Sequence, residues 1–196
     1  ASFGYFHQPG IVIGTQYDRY TLNLNTIAKV NKVLSNETII YIAQGNQSGP
    51  GVNGRQAIYS AIKGAPFIGG GLQTLSDFLN KYLGFGGEYG VDPVIELRDP
   101  KISDKSFTGS LNTAFTVNFS EHLKLRLSAG FNKDNSIYKS FYPSSTASGH
   151  ISNGSGNISE GYDFSWLNEN TLNYNNTFKG IHTVDATAGF SMQQST

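Results

Sequence analysis

The sequence predicts an all-β chain of antiparallel up-and-down strands, of the kind that line a transmembrane β-barrel, with long external loops containing short helices. Three observations carry this. Apolar and polar residues alternate with a period of two through several segments, connections are short at one edge and long at the other, and charge is scarce. Charged residues make up 14% of the 196 residues, against roughly 25% in soluble domains.

The clearest alternation runs from Phe107 to Phe131. Leu111, Phe115, Val117 and Phe119 share one parity with Asn112, Ala114, Thr116 and Asn118 between them, so alternate side chains face opposite sides of a strand. After a polar break at Ser120 and Glu121, Leu123, Leu125, Leu127, Ala129 and Phe131 alternate with Lys124, Arg126, Ser128, Gly130 and Asn132. This is a hairpin with one oily and one wet face.

Taken in order, Ser2 to His7 reads as the end of a strand, and Gln8 to Tyr17 as a loop punctuated by Pro9, Gly10 and Gly14. Leu22, Leu24, Ala28 and Val30 alternate with Asn23, Asn25, Lys29 and Asn31. Leu34 to Glu37 reads as a turn, and Thr38 to Gln44 as the returning strand. From 45 to 105 the strand pattern vanishes, far beyond the length of an ordinary loop. Gln56 to Lys63 and Leu75 to Leu83 are short helix candidates there, and the stretch is expected to fold over the end of the sheet. Lys133 to Glu160 reads as a second long polar loop. A last hairpin follows, with Tyr162, Phe164, Trp166, Leu172 and Tyr174, a turn around Lys179 and Gly180, then Val184, Ala186, Ala188, Phe190 and Met192. Short turns on one edge, long loops on the other and aromatic girdles at the band edges are the features of a membrane barrel. Phe119, Tyr174 and Phe178 are expected near the short turns, and Phe131, Phe164, Trp166 and Phe190 toward the long loops. The competing reading is a soluble extracellular β-sandwich that binds carbohydrate through loop aromatics.

Composition narrows the function. Lys+Arg and Asp+Glu both number 14, so no field attracts nucleic acid, which is excluded as a partner. The chain has no cysteine, hence no disulfide or thiolate chemistry. No catalytic constellation and no cofactor motif is present, and the chain is read as no enzyme. His7, His122, His150 and His182 lack metal-ligand spacing, and the glycine-rich stretches lack the Gly-Lys-Ser/Thr ending of a phosphate loop. Glu88, Asp92, Glu96, Asp99 and Asp104 could supply oxygens to calcium but lack EF-hand spacing. As an acid/base pair they lack the burial that would separate their pKa values. Candidate contacts to a ligand or a partner are the loop aromatics Tyr59, Phe67, Tyr82, Phe85 and Tyr89, which could instead form a small loop core. Lys124, Arg126 and Asp185 face inward, toward water or an enclosed domain.

SWLNENTLNYNNTF with HTVDATAGFSMQ, and GIVIGTQYDRYTLNLNTIAKVNKVL earlier, resemble strand pairs of the SusC/RagA-like TonB-dependent transporters of the Bacteroidetes outer membrane. Gln56 to Pro66 with VDPVIEL resembles that family's long external loop. The resemblance spans nearly the whole chain. It implies that residues 1–196 are a piece of a large barrel, about seven strands with the external loop at 45–105, the plug domain and the remaining strands lying outside it. It further implies a cell outer-membrane location in a Gram-negative bacterium and energised nutrient uptake of oligosaccharides or peptides. The implied partners are a SusD-like surface lipoprotein, TonB through the plug, and outer-membrane lipid.

Overall fold

The structure is a computed structural model, and it describes residues 1–49 and 93–196. Seven strands form one antiparallel sheet in chain order: β1 (Ser2–Pro9), β2 (Gln16–Lys29), β3 (Leu34–Ser48), β4 (Lys101–Asn118), β5 (Leu123–Tyr142), β6 (Ser155–Phe178) and β7 (His182–Ser195). Among the described residues, two short helices lie in the long connections: α1 (Pro93–Arg98), with proline at its first position where no amide donor is needed, and α2 (Ala147–His150). The described strands make a single layer, whereas a sandwich needs two. No helix among the described residues is long and apolar enough to cross a membrane.

Register fixes the two faces. Leu34 pairs with Val117, Val117 with Leu125, Leu125 with Leu172, and Leu172 with Ala188. The apolar parities of all strands therefore fall on one face. On the other, Glu37 pairs with Ala114, Ala114 with Ser128, and Ser128 with Glu169. The most buried strand residues, Ala43, Ile102, Ala114 and Ser140, all belong to this second face. Crowding on one side only means that the sheet curves toward it. The polar face is concave, and Phe115, Leu127, Leu172, Val184, Phe190 and Met192 stand exposed on the convex one.

The apolar band has definite edges. Tyr5, Tyr20, Phe107 and Tyr162 occupy one row across the convex face, with Gln44 and Asn135 between them. The Tyr5 and Tyr20 rings stack at 4.9 Å. The next row toward the long connections holds His7, Asp18, Lys105 and Glu160. At the other edge, Leu123 pairs with Tyr174 and Tyr174 with Ala186, beside the turn that contains Phe119. Phe107 to Phe119, at about 3.4 Å per residue and a tilt of roughly 40°, stands ~30 Å tall, the thickness of a bilayer's hydrocarbon core.

This register corrects part of the expected girdle. Tyr174 and Phe178 lie at the short-turn end and Phe164 toward the long connections, as expected. Phe190, however, pairs with Asn170 and shares a row with Leu127 and Phe115, in the half nearer the short turns. The row of Tyr5, Tyr20, Phe107 and Tyr162 forms the far edge. Strand boundaries differ too. β5 continues to Tyr142 and β6 begins at Ser155, so the second long loop spans only 143–154. β3 reaches Ser48 and β4 starts at Lys101, both inside the 45–105 stretch. Above the band both faces of a strand meet water, so backbone pairing persists after the apolar period has ended.

Leu34 to Glu37 is strand, not turn. The reversal comes earlier, where the Asn31 side-chain oxygen accepts from the amides of Val33 and Leu34 at 2.8 and 2.7 Å. Ser120 Oγ does the same for His122 and Leu123 at 3.2 and 3.1 Å. In the third turn Ile181 N donates to Phe178 O at 3.1 Å. Lys179 and Gly180 there have φ of 54° and 67°, the mirror-image turn that suits strand twist.

Candidate functional site

The concave face is the candidate site, because the polar side chains of neighbouring strands are gathered on it. Its floor is made of small residues: Arg19 pairs with Gly45 and Thr21 with Ala43. Across that floor the Arg19 guanidinium donates to the Tyr41 hydroxyl at 2.9 Å. Nearer the short turns, Arg126 reaches over β4 to Glu37 at 3.3 Å. Both partners are about half exposed, with side-chain exposures of 45% and 52%, so the pair contributes little stability, ~0–1 kcal/mol. It holds charges in position more than it holds strands together. Thr108 donates to Asp134 at 2.7 Å, and Asn175 to Asp185 at 3.1 Å. Lys124, Arg126 and Asp185 thus share the inward face, as their parity implies.

The rim at the long-connection end is more enclosed. Tyr138 and Tyr142 lie on the concave parity of β5, next to α1. Burial pushes the Tyr142 phenol above its ordinary range, with the neighbouring Tyr138 and the Glu96 carboxylate adding to the effect. The 143–154 loop is built around Thr146, which is 1% exposed. Its hydroxyl donates to Pro143 O at 2.7 Å and accepts from Gly149 N at 3.1 Å, capping α2. Only glycine fits at 149, because a Cβ there would stand 2.0 Å from the Pro143 oxygen. Ser145 Oγ donates to the Asp99 carboxylate at 2.5 Å and ties this loop to the segment after α1. Gly49 N donates to Ile102 O at 3.0 Å, and its Cα packs on the backbone of Gly14. The described parts of the long connections are therefore tied together at this end of the sheet.

Tyr59, Phe67, Tyr82, Phe85 and Tyr89 lie outside the described residues, as do the two helix candidates and the carboxylates Glu88 and Asp92. Asp104 sits on the concave face of β4 opposite Tyr138, apart from the Asp99–Ser145 contact. The described residues contain no group of His, Cys, Asp and Glu able to hold a metal. Arg19 and Tyr41 are functional candidates that the sequence reading does not single out, and the signal that finds them is their strand parity, opposite to that of Leu22 and Ile42. Tyr138 and Tyr142 read as loop aromatics because the strand that carries them has no apolar alternation.

A scan against family models finds no match. Among curated proteins, TonB-dependent receptor P39 of Formosa agariphila is 29% identical over 195 residues, covering 97% of this chain and 18% of the receptor. TonB-dependent receptor P3 of the same organism is 24% identical over 205 residues, covering 98% of the chain and 20% of the receptor. The RagAB peptide transporter superposes with a TM-score of 0.64 at 18% identity over 98% of the chain. The chain is similar in sequence to a stretch of these TonB-dependent receptors and shares the fold of the matching part of the RagAB structure. A second RagAB structure, in its closed-closed state, matches with a TM-score of 0.63 and covers 98% of the chain and 23% of its own. The chain spans about a fifth of the length of the curated relatives it matches. Those relatives are named as receptors and transporters, not as enzymes.

Proposed function

We propose that this SusC/RagA-like segment is part of the wall of a TonB-dependent transporter in the outer membrane of a Gram-negative bacterium. One observation carries the reading: a single curved sheet with an uninterrupted register, apolar over bilayer height on the convex side and polar on the concave side. The convex face meets lipid. The concave face lines a passage whose mouth is the gathered long connections. The ligand is a large hydrogen-bonding nutrient, an oligosaccharide or a peptide, because the wall offers hydroxyls, amides and a fixed guanidinium–phenol pair in place of an apolar pocket. The names of the RagAB neighbours favour a peptide and a two-component assembly, in which a SusD-like lipoprotein covers the mouth. TonB acts through the plug region of the whole receptor. The loop aromatics Tyr59, Phe67, Tyr82, Phe85 and Tyr89 contact ligand or lipoprotein in this reading.

The test uses the full-length receptor in its native host. A tagged receptor is expected to co-purify a surface lipoprotein from the outer-membrane fraction, and cells are expected to accumulate a fluorescent peptide mixture or oligosaccharide mixture only when TonB is present. Uptake that persists without TonB, or a receptor recovered in the soluble fraction, refutes the reading.

A further inference from the structure

Above the aromatic row, charge sorts by face on β4 and β5. Lys101, Lys105 and Lys139 carry convex parity, whereas Asp104 carries concave parity. Solvation alone gives no reason for such sorting, since both faces of these strand ends meet water. Ser103 pairs with Lys139, so Lys139 is the diagonal neighbour of both Lys101 and Lys105, ~7–8 Å away in an antiparallel ladder. None of the three forms an ion pair among the described residues, although Glu160 stands on the adjacent strand. Three like charges with no ion pair among the described residues, and with Glu160 as the one described carboxylate diagonal to Lys139 on this face, leave the patch with an excess of positive charge that an anion lying among them would relieve. Lys133, one row inside the girdle, turns its ammonium over the Tyr162 ring at 5.6 Å from the centroid, a cation held at the edge of the band.

Two of these lysines, Lys101 and Lys139, also border an open surface pocket. It has a volume of about 580 Å³, with exposed Phe141 and Ile158 in its lining. We propose that this convex patch is a docking site for a phosphate-bearing glycolipid headgroup of the outer leaflet. Lys101, Lys105 and Lys139 take the phosphates, and Phe141 and Ile158 take the apolar faces of the sugar. The position commits the site to a lipid: the cations lie on the side that meets the bilayer, within a few residues of the band edge, where headgroup phosphates stand and attract basic side chains. The inference rests on the outer-membrane reading above.

The test is native mass spectrometry of the full-length receptor in detergent. The probes are bis-phosphorylated lipid A, the same glycolipid stripped of phosphate, and inorganic phosphate as competitor. The receptor is expected to hold the phosphorylated lipid and not the stripped one, with millimolar inorganic phosphate failing to displace it. Lys101→Gln/Lys139→Gln is expected to weaken binding about tenfold or more, and Asp104→Asn at the same height on the concave face is expected to leave it unchanged. Equal binding by the double variant, equal binding of the stripped glycolipid, or displacement by inorganic phosphate would overturn the proposal. Heat-dependent electrophoretic mobility reports barrel assembly separately. An assembled receptor that ignores the lipid refutes the lipid site alone, and one that never assembles in the membrane refutes the outer-membrane reading and the site with it.

Discussion

Single polar residues on the convex face reveal what lipid demands of a side chain. Asn36, Thr38 and Thr113 lie mid-band yet satisfy one another: Asn36 Nδ2 donates to Thr113 Oγ1 at 3.1 Å, Thr38 Oγ1 donates to Asn36 Oδ1 at 3.0 Å, and the two hydroxyls meet at 2.9 Å. Asn170 Nδ2 likewise donates to Asn168 Oδ1 at 2.7 Å. With no water in the hydrocarbon region, an unmatched group there is costly. Thr38→Val should therefore destabilise the full-length receptor by about 1 kcal/mol, whereas replacing all three residues by Leu or Val should be nearly neutral. Urea unfolding midpoints in lipid vesicles check both, and additive losses across the three single changes would contradict the network. Lys179 has a different local problem. Its φ of 54° is one that a β-carbon disfavours, so Lys179→Gly should raise stability by about 1 kcal/mol or slightly less. The same unfolding midpoint reads this.

Strands and loops were legible in the sequence to the extent that a water–oil boundary runs along them. Leu123 to Asn132 alternates cleanly because one face is apolar and the other lines water, and the structure keeps that parity across every neighbouring strand. Lys133 to Tyr142 is the same strand continued, but Lys133, Asn135 and Lys139 oppose Asp134, Ser136 and Ser140, so no periodicity marks it. The short turns were legible from their chemistry at Lys179 and Gly180, and misplaced at Leu34 to Glu37 because the turn is made by the Asn31 side chain. The buried Thr146 hub could not be read at all, since its cap depends on the close approach of Pro143 and Gly149. This loop and the adjoining strand end carry a pH dependence. Tyr142 has its pKa raised, so the rim is at full stability below the ordinary tyrosine value of 10.0 and loses it as pH rises toward the folded value. Protease cleavage within 143–154 of the full-length receptor should accelerate above about pH 10, and Tyr142→Phe should flatten that rise. Equal acceleration in the variant would place the alkaline sensitivity elsewhere.

At the scale of the whole molecule, one partition organises everything else. The same parity that puts Leu123, Leu125 and Leu127 on the convex side puts Lys124, Arg126 and Ser128 on the concave side, and it carries the aromatic edge, the basic patch above it and the polar lining within. A lysine in place of Leu127 should lower membrane stability by about 2 to 4 kcal/mol, while a lysine in place of Ser128 should be tolerated. The most direct measurement is a nitroxide scan of positions 123 to 128 in the full-length receptor reconstituted in bilayers, comparing collision with oxygen, which concentrates in lipid, and with a water-soluble nickel complex. Oxygen accessibility should peak at 123, 125 and 127 and fall at 124, 126 and 128, with nickel showing the opposite phase or none. Uniform accessibility along the six positions, or oxygen maxima at the even ones, would contradict a lipid-facing convex sheet.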